Sequence, residues 1–149
     1  MEYSKIVEIV APCGLDCGKC LAYENGDIRR HSRTLADLLG PNFSHYAERF
    51  AEFDPVFANY AAFREFLNLL ARGTCRTCRK GKCLFQGCRV RSCVTGKAVD
   101  FCFQCGEFPC ETSGLPARLK AIWRRSNELM KEVGVEEYYE RIKERPRYP

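Results

Sequence analysis

Eleven cysteines in 149 residues, most of them closely spaced, limit what this chain can fold into more than any other feature. The spacing Cys-x2-Cys-x4-Cys occurs twice, at Cys75, Cys78, Cys83 and at Cys102, Cys105, Cys110. Cys88 and Cys93 lie between the two copies, and Cys13, Cys17 and Cys20 stand near the start. A Cys-x2-Cys loop turns two sulfurs to one side of a tight turn, which suits a shared tetrahedral metal ion better than a bond between the two sulfurs. All eleven cysteines are therefore candidate metal ligands.

The residues around them set the expected surroundings. The opening stretch has no basic leader, and Lys5 and Glu8 interrupt Ile6, Val7, Ile9 and Val10, so it does not read as a signal peptide. No segment approaches the ~20 apolar residues of a membrane span. The expected setting is the reducing cytoplasm, where clustered thiols serve metals more often than disulfides, and an odd number leaves one unpaired. The formal charge is +5. Eight thiolates holding two zinc ions would remove four positive charges and leave about +1.

From Arg72 to Val99 the chain carries Arg72, Arg76, Arg79, Lys80, Lys82, Arg89, Arg91 and Lys97 with no acidic residue. Nearby cations lower thiol pKa and offset an anionic metal–thiolate centre. The same side chains could contact phosphates, which makes nucleic acid an alternative partner beside an acidic protein surface. Phe85 is the only aromatic within that stretch, too little for a base-stacking platform.

Apolar residues make up 46% of the chain, enough for one globular domain over 1–149. Its sub-regions read as an N-terminal cysteine loop (1–26), a helical core (27–72), a cysteine-rich metal lobe (73–113) and C-terminal helices (114–145). In the helical core, Asp27 is placed to cap a helix carrying Ile28, Leu35, Leu38 and Leu39, ended by Gly40-Pro41. A second helix starts near Phe43, and Asp54-Pro55 opens a third that Gly73 stops. The series Phe43, Tyr46, Phe50, Phe53, Phe57, Tyr60, Phe63 and Phe66 has helical spacing and is expected to pack as the apolar core. Between Gly73 and Ser113 the helical period is lost, and a loop-rich segment of this kind needs metal to offset its chain entropy. Helical pattern returns after Pro116 through Trp123 and Met130 to Gly134, a short helix follows, and the tail from Arg145 to Pro149 is expected to fray.

Zinc, two ions in cysteine-rich sites, is the expected cofactor. An iron–sulfur cluster in a redox or sensor protein is the alternative, because closely spaced thiolates also hold such clusters. Cys13-x3-Cys17-x2-Cys20 has the spacing of radical enzymes' cluster loops, but Lys19 stands where an aromatic is usual and the strand–helix alternation of their barrel is missing. A reactive dithiol lacks its βαβ setting. No Ser-His-Asp arrangement, phosphate-cradling loop or paired carboxylates give a catalytic site. His31 and His45 read as surface or structural residues, and Asp16, between two cysteines, as a cap for backbone N–H groups.

Four pieces occur in a recognisable order: Cys-Gly-Leu-Asp-Cys-Gly-Lys-Cys at 13–20, Cys-Arg-Thr-Cys at 75–78, Cys-Arg-Val-Arg-Ser-Cys at 88–93 and Cys-Phe-Gln-Cys-Gly-Glu-Phe-Pro-Cys at 102–110. In these the chain resembles an uncharacterised prokaryotic family of small cysteine-rich proteins for which metal binding is the expectation. Cys83 departs from that family's spacing. The resemblance implies metal ligation and assigns no catalytic residue. The expected architecture is mainly α, a helical core beside an irregular cysteine-rich metal-binding lobe to which the loop 13–20 folds back.

Overall fold

The computed structural model describes residues 1–81 and 83–148; Lys82 of the basic segment and Pro149 of the tail lie outside them. Among the described residues the protein is mainly α, with seven α-helices: α1 (Tyr3–Ile9), α2 (Asp27–Leu39), α3 (Phe43–Phe50), α4 (Tyr60–Arg72), α5 (Val90–Gly96), α6 (Ala117–Val133) and α7 (Val135–Ile142). The extended contribution there includes an antiparallel bridge between Val10 and Asp16. None of the described helices is long and apolar enough to cross a membrane.

The chain divides into two compact units: Leu21–Thr74, and the two terminal segments before and after it. In the first, α2 packs against α4. The helix boundaries are those the sequence signals: Gly40 at φ 72° ends α2, and Gly73 at φ 40° ends α4. Asp54 Oδ1 accepts from Val56 N–H at 3.0 Å at the head of a 3-10 turn over Pro55–Asn59 that leads into α4. Asp27, expected as a cap, is instead the first residue of α2, paired with Arg30, while Gly26 holds the cap position. An aspartate inside the first turn still favours the helix dipole.

The aromatic series is not the protein's core. Phe53 is 85% exposed and Leu38 80%, and Tyr46, Phe50, Phe63 and Phe66 are exposed as well. Ala47 and Leu67 are the apolar side chains of α3 and α4 that are buried. Phe43–Tyr60 meet edge-on at 4.9 Å and Phe50–Phe57 at a tilt at 5.3 Å, so these rings partly cover one another. Helical spacing puts residues on one face; whether that face is covered depends on what packs against it.

The apolar core lies in the other unit, in two clusters. Ile6, Val10, Phe101, Met130, Val135 and Tyr138 form the first, joining α1, α6 and α7. Val90, Val94, Cys102 and Trp123 form the second, between α5 and α6. The segment 73–113 therefore departs from its reading as a loop-only lobe with little to bury: it contains α5, and Val90, Val94 and Phe101 are fully enclosed. Seven residues are too few for a convincing helical period, and the burial comes from α1 and α6, far away in sequence.

The described part of the tail, 145–148, is held rather than frayed. Lys19 Nζ donates to the carbonyls of Ile142 at 3.1 Å and Arg145 at 2.6 Å, and to that of Lys143. An ammonium set against the free carbonyls at the end of α7 satisfies them and suits the helix dipole. Arg147 donates to the Asp16 carbonyl.

The relocated core gives a direct comparison. Ile6→Ala should lower stability by about 2–4 kcal/mol, and Phe53→Ala by no more than about 0.5 kcal/mol. Urea unfolding followed through Trp123, the single tryptophan, measures both.

Candidate metal centre

All eleven cysteines fall in the unit built from the chain's terminal segments. His31 and His45 are exposed in the other unit, in keeping with a surface role. Two of the three Cys-x2-Cys pairs fold as tight turns. Cys17–Lys19 and Cys102–Gln104 are single 3-10 turns, closed by Cys20 N–H to the Cys17 carbonyl at 3.1 Å and by Cys105 N–H to the Cys102 carbonyl at 3.0 Å. Asp16 Oδ1 accepts from Gly18 N–H at 2.8 Å, the capping role read from its position. The loop 13–20 does fold back on the second cysteine group, with Cys78 N–H pointing to Cys17 Sγ at 3.4 Å.

The two copies of Cys-x2-Cys-x4-Cys go to different places. Cys102, Cys105 and Cys110 line one small cavity together with Cys93 from α5, and Val94, Lys97, Phe108 and Trp123 complete its wall. Cys75, Cys78 and Cys83 belong instead with Cys13, Cys17, Cys20 and Cys88, whose sulfurs act electrostatically on one another around Cys17 and Cys78. The eleven thus separate into a group of four and a group of seven. Among the described residues no three His, Cys, Asp or Glu side chains are already drawn into a coordination sphere. The fold supplies neighbourhoods of sulfur.

Burial dominates the chemistry of these thiols. It pushes Cys102 up to about 11, with the sulfurs of Cys110, Cys93 and Cys105 adding to the rise and the Trp123 indole opposing it. Burial likewise takes Cys13 and Cys78 up to about 12, and raises Cys17. Without a cation Cys13, Cys17, Cys78 and Cys102 stay neutral thiols, because a thiolate in an apolar pocket beside others of its kind is doubly disfavoured.

The donors around the sulfurs are nevertheless those a thiolate needs. Glu107 N–H points to Cys105 Sγ at 3.4 Å, two residues on from the cysteine, and Thr112 Oγ1 to Cys110 Sγ at 3.4 Å. The Lys97 ammonium, paired with Glu107, also acts on Cys105. At the larger group, Tyr148 Oη lies 3.8 Å from Cys20 Sγ. Burial there works against the Arg147 charge, but the sulfurs of Cys20, Cys17 and Cys13 outweigh it and raise its pKa.

The basic segment is partly spent inside the chain. Arg79 donates to the carbonyls of Val7 at 2.5 Å, Asp100 at 2.7 Å and Val10 at 3.4 Å, and its guanidinium lies 5.2 Å from the centre of the Phe101 ring. Lys80 pairs with Glu8 at 4.0 Å.

The residue that fixes the cysteine loops is one that sequence reasoning misses. Asn127, fully buried on α6, donates through Nδ2 to the carbonyls of Pro12 at 3.1 Å and Trp123 at 3.0 Å. Its Oδ1 accepts from Phe103 N–H at 3.0 Å. One carboxamide thus holds the residue before Cys13 and the turn between Cys102 and Cys105. Its only signal in the sequence is a polar residue among the apolar positions of a helix. Next to it Tyr138 Oη donates to the Gly14 carbonyl at 2.6 Å. Gly14 has φ +88°, and a Cβ there would stand 2.2 Å from Ser126 Cβ, so only glycine fits.

A family model described as "Protein of unknown function (DUF3795)" matches residues 9–114, a range that contains all eleven cysteines and ends before α6. No curated protein and no solved structure matches the chain.

Asn127→Ala should cost about 1–3 kcal/mol in urea unfolding, because it leaves buried N–H and C=O groups without partners; a change within error would remove it from this role. The thiols predict a pH dependence for the metal-free chain. Their folded pKa lies above the ordinary 9.0, so the unfolded chain releases protons first. Stability is then fully present below pH 9 and falls as pH rises from about 9 towards 12. Urea midpoints at pH 7, 9 and 10.5 measure it.

Proposed function

The chain belongs to this family of unknown function, and from the grouping of its sulfurs we propose that it is a zinc-binding protein whose metal ions are structural. The observation that carries the proposal is the four-cysteine cavity of Cys93, Cys102, Cys105 and Cys110, in which backbone and side-chain donors already face two of the sulfurs. Neutral thiols gain little from such donors; thiolates gain a charge-assisted hydrogen bond from each. An all-sulfur donor set suits zinc, and binding would draw the protons off thiols that burial otherwise keeps neutral.

The second site is drawn from the group of seven, around Cys13, Cys17 and Cys78, whose sulfurs act on one another with Cys83 and Cys88 beside them, and with Arg147 as compensating cation. A closed shell of four thiolates leaves no open position for a substrate. The metal's contribution is therefore to hold loops that carry few apolar side chains of their own, and the protein is a binding or scaffolding module. The commitment of Arg79 and Lys80 within the chain favours charge compensation over phosphate contact for the basic segment.

Metal analysis on protein purified without oxygen, with a visible spectrum of the same sample, tests this. About two zinc per chain and no visible band are expected. Cys105→Ser should remove one equivalent and leave the other, because the two groups share no cysteine. Iron with sulfide and a brown solution would replace the proposal with an iron–sulfur redox or sensor protein.

A further inference from the structure

A weakly met donor and a weak acceptor lie together in the four-cysteine cavity. Trp123 is 1% exposed, and its buried Nε1–H makes no full-strength hydrogen bond. An indole N–H that has given up water calls for an acceptor. The acceptor it faces is the sulfur of Cys102, buried in the same apolar cluster and lining the same cavity. Of the three cysteines from the 102–110 segment, Cys105 and Cys110 receive donors from Glu107 N–H and Thr112 Oγ1. A neutral thiol is a poor acceptor; a metal-bound thiolate is a good one.

We propose that Trp123 is a positioning residue of this site, its indole N–H reserved for the Cys102 sulfur once that sulfur is a metal-bound thiolate. The inference rests on the zinc reading and adds a role for a side chain outside the ligand set. The ring is already held in place, since Phe108 packs against it edge-to-face, with centroids 5.0 Å apart and planes at 77°. The Trp123 carbonyl accepts from Asn127, which fixes the backbone beneath it. The donated N–H spreads the charge of the one sulfur of this segment that receives no donor from the loop itself, and turns it towards the ion.

The test replaces Trp123 by phenylalanine and, separately, by benzothienylalanine, which keeps the indole's shape and lacks the N–H. Cobalt(II) is titrated into each in competition with a chelator, and the sulfur-to-cobalt charge-transfer band is recorded. Losing the N–H should weaken the four-cysteine site about tenfold, in the range seen for residues that orient metal ligands, and move the band to lower energy. Both changes should occur in the benzothienylalanine protein, where packing is preserved. If that protein matches the wild type and only Trp123→Phe is weakened, the residue acts by packing alone and the inference falls, leaving the zinc reading in place. If the wild type takes up no cobalt and no zinc, both fall.

Discussion

The three hydrogen bonds of Asn127 are the fastening on which the cysteine-bearing unit depends. Loops rich in glycine and cysteine have little apolar surface with which to hold themselves, and their backbone groups lose water when they pack. By satisfying Pro12, Phe103 and Trp123 from one buried side chain, α6 fixes the N-terminal loop and the Cys102–Cys105 turn to the same rigid support. Gly14 makes that approach possible, and Tyr138 secures it from α7. The C-terminal helices therefore do for the cysteine loops what the helices of the middle segment were expected to do.

Desolvation then decides the chemistry of the sulfurs. A thiol in a dry pocket beside other thiols keeps its proton, and the same pocket raises the value of any charge that can compensate it. In the proposed zinc reading a dication supplies that compensation for the four sulfurs around one cavity, where a single lysine already paired with Glu107 is not enough. The donors at Cys105 and Cys110 and the indole at Cys102 are the kind of second interaction that a metal-bound sulfur uses. At the larger group Arg147 from the tail adds a further positive charge beside the sulfurs.

Much of this was legible in the residues. Cysteine spacing foretold tight turns at 17–20 and 102–105, and position foretold the capping role of Asp16, because these are local geometry. Gly40, Gly73, Gly134 and Pro116 marked helix ends for the same reason. The location of the core was not legible. A helical stripe of phenylalanines looks like a core from periodicity alone, yet Phe53 and Phe66 face solvent while Ile6, Val10 and Phe101, in short or irregular segments, are enclosed by α6 and α7. The partition of the cysteines was also out of reach, since spacing alone does not pair them and the fold sends Cys75 and Cys102 to separate groups. Non-local packing, which carries no periodic signal, made both decisions.

X-ray absorption at the metal edge, on protein purified with its native metal, reads directly what the sulfurs hold. Zinc with sulfur alone as nearest neighbour at about 2.3 Å is expected, reduced in amount but unchanged in distance when the four-cysteine site is removed by Cys105→Ser. A shell dominated by light atoms, iron with a short iron–iron scattering path, or no bound metal would contradict the zinc reading.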